Sequence, residues 1–462
     1  MWMRSVASLI LAAGLLAAVP SPAAADPPVC GPPVASTTQP GYTVADPDCD
    51  VNGTPFVPVA GSSVWTGIDD GAAYRIERPA AWNGELVLYA HGYRGLGTTV
   101  YVDSPSLRAH YLARGFAWAA SSYQTNGYDV GQGVRDTYEL IRRFTERTGQ
   151  PARAVYMTGA SMGGHVTAVA IEEHPQAFVA AMPVCGVLGD AELFDYFLDA
   201  NVTAAALTGT TITFPQAPVD PSFQEVYRQQ VAQQVPLLGQ GAGLTPLGRR
   251  WGDFVEQRSG GTRPGFDNAL AYWSALPGIP PLTSVPFLFG VYPGLSGGTA
   301  GVAEGNITSN RFTVYQGDDN PWLSRDELRL NRDVLRVDRT DRPSRDLSGV
   351  PRVDGRPRVP VLSMHTIGDL FVPLSMEQEY ARRANLQGRG KLFVSRAVRA
   401  LGHCEFTGPE LAQGFDDLVT WVRTGHRPAG DPILDRRAVA GAQFGCRFTL
   451  TDRPAFGPAC PR

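Results

Sequence analysis

The feature that most constrains the fold is an alternation of short apolar runs with stretches of helical spacing. The runs are predicted as buried strands because they are short, continuously apolar and bounded by turn residues. Predicted strands cover residues 86–90, 116–121, 154–158, 178–184, 359–364 and 391–397, and predicted helices cover residues 134–147, 162–173, 374–385 and 409–424. In the first helix, Tyr138, Ile141 and Phe144 fall on one side. This alternation indicates an α/β fold, with a mostly parallel central sheet covered by helices on both faces.

The alternation stops between residues 188 and 358, where aromatic residues cluster and Pro and Gly are scattered. We interpret residues 188–358 as a cap inserted over the carboxyl edge of the sheet. The alternative is a set of surface loops with ordinary packing aromatics. Residues 26–187 and 359–426 then form the α/β core. Residues 26–61, rich in Pro, Gly, Thr and Asp, are predicted to be an irregular extension, as is the tail over residues 427–462.

The first 25 residues have the pattern of an export signal, with Arg4 near the start, an apolar run over residues 6–19 and small residues up to Ala25. Such a segment is cleaved during export, so the mature chain is expected to begin near Asp26 and to be extracellular or periplasmic. The apolar run is short for a bilayer span, so no stable membrane insertion is expected. The alternative is an anchor that remains at the N-terminus.

Composition narrows the possible partners. Hydrophobic residues make up 43% and charged residues 18% of the 462 residues, which is enough for a packed core. The formal net charge is −4 and there is no long basic run, which argues against a nucleic-acid partner. No cysteine spacing resembles a zinc site, and we expect neither a metal nor another cofactor. The chain is expected to be a monomer.

Six cysteines follow the export signal, and an oxidising compartment permits disulfides between them. Sequence alone does not fix how six cysteines pair. Proximity along the chain favours Cys30 with Cys49 and Cys446 with Cys460, which would leave Cys185 for Cys404. The alternative is that some of them are buried free thiols.

A Gly-x-Ser-x-Gly motif occurs twice, around Ser161 and around Ser296. The motif carries a nucleophile when it forms a sharp turn between a strand and a helix, which lifts the serine oxygen above the sheet edge. Ser161 follows the predicted strand 154–158 and precedes the predicted helix 162–173. Ser296 follows a Pro-rich stretch and precedes a segment without helical spacing. We therefore predict that Ser161 is a nucleophile and that Ser296 is a loop residue.

A serine nucleophile needs a base within hydrogen-bond reach, and the base needs an orienting carboxylate. His403 suits the base because it follows the last predicted strand, and active groups of α/β sheets meet at the carboxyl ends of strands. A loop-capping histidine is the alternative for His403. The remaining histidines lie beside an early loop, in helices or at their ends, at the end of a strand or in the tail: His91, His110, His165, His174, His365 and His426.

The acid is expected between the serine and the histidine in chain order. Asp369 fits because it follows the strand 359–364 and precedes the helix 374–385. A turn-forming or helix-capping aspartate is the alternative, in which case Asp190 or Asp195 would be the acid.

Acyl transfer also needs hydrogen-bond donors for the developing oxyanion. One is expected from the backbone N–H of Met162, the residue after the nucleophile. The second is expected from the Tyr93 N–H, because residues 91–95 form a glycine-containing loop after the strand 86–90. Gly92 would then allow backbone to approach the substrate, and a simple glycine turn is the alternative.

Four motifs in this order carry a resemblance: His-Gly-Tyr-x-Gly at 91–95, Gly-x-Ser-Met-Gly-Gly at 159–164, Gly-Asp-x-x-Val-Pro at 368–373 and Gly-His at 402–403. The chain resembles the α/β-hydrolase superfamily over residues 86–424. The region from the acid to the histidine resembles prolyl-oligopeptidase-like and dienelactone-hydrolase-like members, and the oxyanion pair resembles that of cutinase-like enzymes. None of these subfamilies matches across residues 188–358, so the resemblance implies no substrate.

Cys404 beside His403 resembles tannases and feruloyl esterases, where a disulfide ties the histidine loop. In those enzymes the other cysteine stands beside the serine, whereas position 160 here is Ala160. If such a tie exists, the resemblance leaves Cys185 as the partner.

The leading hypothesis is a secreted serine hydrolase that cleaves carboxylic esters, or amides, of small molecules or polymers through an acyl-enzyme. The aromatic cap suggests an apolar or aromatic acyl group, although it could also pack only on itself. A second hypothesis is an amidase or aminopeptidase, with Glu192, Glu225 or Arg228 as an anchoring group in the cap. A third is a non-catalytic binding protein on a hydrolase fold.

Overall fold

A computed structural model describes residues 30–213, 221–240, 243–291, 303 and 305–461 of the chain. The predicted export signal, the second serine motif around Ser296 and the aromatic residue Tyr292 lie outside these ranges. Within the described ranges, no helix is both long and apolar enough to cross a bilayer.

Eight strands form the central sheet. Along the chain they are β3 (Ser62–Asp69), β4 (Ala72–Pro79), β5 (Glu85–Ala90), β7 (Ala117–Ser121), β8 (Ala154–Ala160), β9 (Ala180–Val184), β10 (Val361–Thr366) and β11 (Phe393–Val398). Their order across the sheet is β11-β10-β9-β8-β5-β7-β4-β3, with β8 near the middle. The six strands from β11 to β7 run parallel, and β4 and β3 pair antiparallel at one edge. The predicted α/β sheet is therefore confirmed.

Twelve α-helices accompany the sheet: α1 (Arg108–Ala113), α2 (Val130–Thr148), α3 (Met162–Glu173), α4 (Glu192–Thr208), α5 (Pro221–Leu238), α6 (Pro246–Arg258), α7 (Phe266–Ser274), α8 (Phe287–Gly290), α9 (Arg325–Asp333), α10 (Ser375–Leu386), α11 (Gly408–Thr424) and α12 (Arg436–Ala440), counted over the described residues. Short 3₁₀ turns cover Gly390–Leu392 and Pro454–Phe456. Helices α4 to α9 all lie between β9 and β10.

Both faces of the sheet are covered. Along β5, Leu86 and Leu88 pack into a core with α2, α3 and α10, whereas Val87 packs into a second core with α1 and α11. Successive residues of a strand point to opposite faces, so a sheet buried on both sides needs continuously apolar strands. This requirement explains why the core strands were visible in the sequence.

Two parts of the prediction need correction. Strands β3 and β4 were missed. The side chains of the edge strand β3 stay largely half-buried, so few of them need to be apolar, and β4 has two buried charged residues that interrupt its apolar run. Helix α2 begins at Val130, and of the three residues predicted to share a side only Phe144 is fully buried, while Tyr138 is 39% exposed. On the inner face of α2, Gly133 stands where a side chain would not fit, because a Cβ there would lie 2.8 Å from the Val166 side chain.

The terminal extensions are not wholly irregular. Strands β1 (Val34–Ala35) and β2 (Thr43–Val44) join β6 (Thr99–Val100) in a small second sheet. The C-terminal tail is held by Arg399, whose guanidinium donates to the carbonyl oxygens of Ala442, Phe444 and Pro458. Arginine has several donors in a fixed plane, so a single side chain can satisfy all three carbonyls of the tail.

Candidate active site

Ser161 occupies a sharp turn between the end of β8 and the start of α3. Its φ of 61° and ψ of −123° lie in a region that residues with a side chain rarely adopt, at a cost of about 1–3 kcal/mol. The surrounding backbone holds this conformation: the Ser161 N–H donates to the Val184 carbonyl at 3.0 Å, and its own carbonyl accepts the Gly164 N–H at 2.8 Å. The turn therefore sets the Ser161 side chain at the carboxyl edge of the parallel strands.

The glycines around Ser161 are required by close packing of backbone. A Cβ on Gly159 would lie 2.1 Å from the Gly163 carbonyl oxygen, and one on Gly163 would lie 2.1 Å from the Ala90 carbonyl oxygen. A Cβ on Gly164 would lie 2.4 Å from the Gly186 Cα. These distances are too short for any side chain, so each glycine lets α3 approach the neighbouring strands closely.

Asp369 and His403 meet on the loops that follow β10 and β11. The Asp369 Oδ2 atom lies 2.6 Å from His403 Nδ1, and Oδ1 accepts the backbone N–H groups of Phe371 and Val372 at 2.9 and 3.0 Å. Both carboxylate oxygens are thus occupied, and the side chain is fully buried. An acidic partner at Nδ1 favours the tautomer with its proton on Nδ1, which leaves Nε2 as an acceptor.

A disulfide joins the histidine loop to the strand beside the serine. Cys404 is bonded to Cys185, and the Cys404 Sγ atom lies 3.5 Å from His403 Nε2. Cys185 directly follows Val184, whose carbonyl accepts the Ser161 N–H. His403 and Ser161 therefore stand next to the two ends of one covalent bridge.

The other two cysteine pairs expected from proximity are also present, Cys30 with Cys49 and Cys446 with Cys460, and none of the six is a free thiol.

Removing the Cys185–Cys404 bridge with a double serine variant is expected to lower both stability and activity. The bond closes a loop of 219 residues, so its loss is expected to cost about 2–5 kcal/mol of unfolding free energy. The freed histidine loop is expected to lower kcat by about tenfold or more, because small displacements of catalytic groups have large effects. Chemical denaturation and steady-state kinetics measure the two effects.

The matched control is the double serine variant at Cys446 and Cys460, which opens a short loop in the tail. It is expected to keep the wild-type kcat. A folded variant without the Cys185–Cys404 bridge that also keeps the wild-type kcat would show that the bridge does not position His403.

The two backbone donors predicted for an oxyanion flank the serine. Met162 is the first residue of α3, where N–H groups have no partner within the helix. Tyr93 follows Gly92, and a Cβ on Gly92 would lie 3.0 Å from Ser161 Cβ and 3.2 Å from the Ala160 carbonyl oxygen. The open side of Gly92 thus faces the serine turn, so the missing side chain lets the Tyr93 loop lie close to Ser161. Within the described part of the chain, no protein acceptor takes the Tyr93 or the Met162 N–H.

Replacing Gly92 by alanine is expected to lower kcat/KM by about tenfold to a hundredfold, because the added Cβ would push the Tyr93 loop away from Ser161. Gly97, in the same loop, is the control: a Cβ there would meet no atom within 4 Å, so Gly97→Ala is expected to behave as the wild type. Equal kinetics for the two variants would contradict a close fit between the loop and the serine turn.

Three other histidines are buried in structural positions. The His91 ring nitrogens lie 2.7 and 3.1 Å from the Gly92 and Ser122 carbonyl oxygens, one of which accepts the ring N–H, and burial holds the His91 pKa well below the usual value. His165 lies between the Tyr128 hydroxyl and the Pro351 carbonyl, and burial lowers its pKa to about 4. Burial also lowers the pKa of His365, but its hydrogen bond to Glu377 and the nearby negative charges of Glu377 and Asp369 together leave the pKa raised.

The alternative acids are engaged elsewhere. Asp190 forms an ion pair with Arg383, and Asp195 forms one with Arg339. Asp190 also accepts the Val353 N–H at 3.0 Å. These contacts tie the segment between β9 and β10 to itself and to α10, so both carboxylates have structural partners, whereas Asp369 is the acid in contact with His403.

An aromatic wall lies beside His403, which the sequence did not locate. The Phe371 ring centroid is 5.0 Å from that of His403 and 5.1 Å from that of Phe287. Trp273 and Phe197 complete the wall, at 6.4 and 6.5 Å from Phe371. Three of these residues come from α4, α7 and α8, so the segment between β9 and β10 contributes most of the wall. Their adjacency depends on tertiary contacts, which composition alone does not reveal.

Each of the three site residues, in the chain order Ser161, Asp369 and His403, follows a parallel strand of the central sheet. The strained serine lies between a central parallel strand and a helix, the acid follows β10 and the histidine follows β11. The chain has the α/β-hydrolase fold. The resemblance inferred from the four sequence motifs is thereby confirmed at the level of the fold.

The chain is 25% identical over 439 residues to a Xanthobacter agilis protein described as an o-phthalyl amidase, which covers 81% of this chain and 90% of that one. No family model matches the chain.

Among solved structures, feruloyl esterase B from Aspergillus oryzae is 14% identical with a TM-score of 0.45, covering 88% of this chain and 87% of that one. The acylaminoacyl peptidase of Pyrococcus horikoshii is 12% identical with a TM-score of 0.39, covering 82% of this chain and 45% of that one.

Proposed function

We propose that the chain is a serine hydrolase that cleaves carboxylic esters or amides through an acyl-enzyme intermediate. The observation that carries the proposal is the strained turn at Ser161 together with the 2.6 Å contact between Asp369 and His403 at the same edge of the sheet. A non-catalytic protein on this fold would not need to maintain a strained serine or an oriented imidazole.

In the proposed mechanism, the Ser161 Oγ atom attacks the acyl carbonyl carbon while its proton passes to His403 Nε2. Asp369 stabilises the imidazolium that forms. The carbonyl oxygen becomes an oxyanion that accepts the N–H groups of Tyr93 and Met162. The tetrahedral intermediate then expels the alcohol or amine, which takes the proton from the imidazolium, and leaves the acyl-enzyme. Water repeats the attack with the same proton transfers and releases the acid.

The aromatic wall supports an aromatic or other flat apolar acyl group as the substrate. Phe371 is the partly exposed member of the wall and lies against the His403 ring, so an acyl group bound against Phe371 would lie beside the proposed base. Aromatic rings pack favourably edge-to-face with other rings, as Phe371 and Phe287 do here at an interplanar angle of 83°. In this proposal, the segment over residues 188–358 is a cap that selects the acyl group.

An amide substrate is favoured by one observation, the similarity over four fifths of the chain to a protein described as an amidase. The anchoring groups considered for an amine or carboxylate are less suited to the role. Arg228 donates to Gln224 and to the Pro281 carbonyl, and Glu225 accepts from Gln229. Glu192 lines a cavity of about 850 Å³ whose lining residues include neither Ser161 nor His403.

We also propose that the protein is secreted. Three disulfides are typical of proteins that fold in an oxidising compartment. N-terminal sequencing of exported protein, with a start near Asp26 expected, tests this proposal.

Parallel assays with p-nitrophenyl esters and the matching p-nitroanilides test the function and the acyl preference together. Each leaving group is offered with a benzoyl and with a butyryl group. We expect hydrolysis with a higher kcat/KM for benzoyl than for butyryl compounds. Turnover of anilides at rates comparable with those of esters identifies an amidase. Absence of turnover on all four compounds, with no labelling by a fluorophosphonate, would overturn the proposed function.

A further inference from the structure

The indole of Trp273 contacts both loops that carry the proposed acid and base. Its Nε1 lies 2.9 Å from the Gly368 carbonyl oxygen and 2.9 Å from the Leu401 carbonyl oxygen. Gly368 directly precedes Asp369, and Leu401 stands two residues before His403. The indole has a single N–H, which both carbonyl oxygens share, so it restrains the distance between the two carbonyl groups. Trp273 is 4% exposed, so water does not compete for this donor.

A second buried side chain from the same segment supports the acid loop. Arg263, between α6 and α7, donates from Nε to the Ile367 carbonyl at 2.7 Å. Its other nitrogens bond the Gly261 carbonyl and the Ser259 hydroxyl, at 3.0 Å each. These two bonds fix the orientation of the guanidinium independently of its bond to the Ile367 carbonyl. Side chains from the segment between β9 and β10 thus hold three carbonyl groups of the two loops, those of Ile367, Gly368 and Leu401.

We propose that Trp273 is a positioning residue that aligns Asp369 and His403 by holding the carbonyl groups of both loops, an inference that rests on the proposed function. The segment between β9 and β10 then has two roles, since it builds the aromatic wall and also sets the geometry of the proposed acid and base. Trp273 takes part in both, because its ring packs 4.6 Å from Phe287 while its N–H holds the loops.

The loops that follow β10 and β11 are also hydrogen-bonded to each other, which limits the expected effect of removing the Trp273 N–H. The Gly368 N–H donates to the Ala400 carbonyl at 2.9 Å, and the Thr366 hydroxyl donates to the Gly402 carbonyl at 2.9 Å. These bonds hold the bases of the loops at the sheet edge and remain when the indole is removed. Loss of the Trp273 N–H is therefore expected to loosen the alignment without dismantling the site.

The test is Trp273→Phe, with Trp251→Phe as the matched control. Trp251 is a fully buried indole of α6 whose Nε1 donates to the Ala200 carbonyl at 2.8 Å, away from both loops. Each variant loses one buried bond from an indole to backbone. We expect kcat to fall by about tenfold to a hundredfold for Trp273→Phe, with a much smaller change in KM, and to stay within about twofold for Trp251→Phe. Equal kcat values for the two variants would overturn the proposal.

A second variant covers the case in which Trp273→Phe does not fold. Incorporation of 3-benzothienylalanine at position 273 keeps the shape of the bicyclic ring and replaces the N–H by sulfur. The same loss of kcat is expected, and a wild-type kcat would overturn the proposal.

A readout independent of activity separates this inference from the proposed function. The proton between His403 Nδ1 and Asp369 is expected to give a downfield resonance in NMR spectra, and its loss in His403→Gln would assign it. We expect it to shift or to exchange faster with water in Trp273→Phe and to be unchanged in Trp251→Phe. An unchanged resonance in both would overturn the inference even in an active enzyme, whereas an inactive wild type with the expected shift would overturn only the proposed function.

Discussion

Ser161→Ala is expected to lower kcat by about 10⁶-fold, because loss of the nucleophile alone removes nearly all of the contribution of a serine triad. The variant is expected to fold, since the turn at Ser161 is fixed by backbone bonds to Val184 and Gly164 that an alanine keeps. Steady-state hydrolysis of a p-nitrophenyl ester measures the effect, and a thermal unfolding curve verifies the fold.

The control is Ser296→Ala, which removes the serine of the second Gly-x-Ser-x-Gly motif. It is expected to keep the wild-type rate. Residual activity above about one hundredth in folded Ser161→Ala would contradict the assignment, since the oxyanion donors alone leave far less.

Asp369→Asn is expected to lower kcat by about 10⁴-fold with little change in KM. The reason is specific to this site. The side-chain oxygen at Oδ1 accepts the Phe371 and Val372 N–H groups, so the amide would keep its oxygen there and turn its NH₂ group toward His403 Nδ1. The imidazole would then carry its proton on Nε2, where it could no longer accept the proton of Ser161.

A second His–Asp pair provides the control. Asp416 contacts His110 at 3.0 Å on the surface, so Asp416→Asn makes the same chemical change far from the serine turn and is expected to leave kcat unchanged. If Asp369→Asn kept more than about one tenth of the wild-type kcat, Asp369 would not be the orienting acid, and Asp190 and Asp195 would have to be tested in the same way.

The parts of the fold that were predictable depend on local sequence. Buried parallel strands need continuous apolar runs, and the helix from Met162 to Glu173 follows from spacing alone, so the parallel strands of the central sheet and the turn at Ser161 were predictable. The contact between Asp369 and His403 was predictable because loops after parallel strands meet at one edge. The bridge between Cys185 and Cys404 spans 219 residues and was predicted because the other cysteines have near neighbours and because the resemblance to tannases and feruloyl esterases leaves Cys185 as the partner.

The parts that were not predictable depend on contacts between distant segments. The aromatic wall forms because Phe197 of α4, Trp273 of α7 and Phe287 of α8 pack against Phe371 in the acid loop. Neither their spacing nor the composition of the segment encodes that approach. The proposed role of the Trp273 indole likewise depends on carbonyl groups about 100 residues away. From the sequence alone, a tryptophan at this position is expected to be an ordinary core residue. The packing of the helices between β9 and β10 is therefore seen only in the structure.

The most direct test of the nucleophile is to map the residue that a fluorophosphonate modifies. The active protein is labelled, digested and analysed by tandem mass spectrometry. We expect one added phosphonyl group on the peptide that contains Ser161, in proportion to the loss of hydrolysis. Modification of Ser296 or of another residue, or full inhibition without a label on Ser161, would contradict the assignment of Ser161 as the nucleophile.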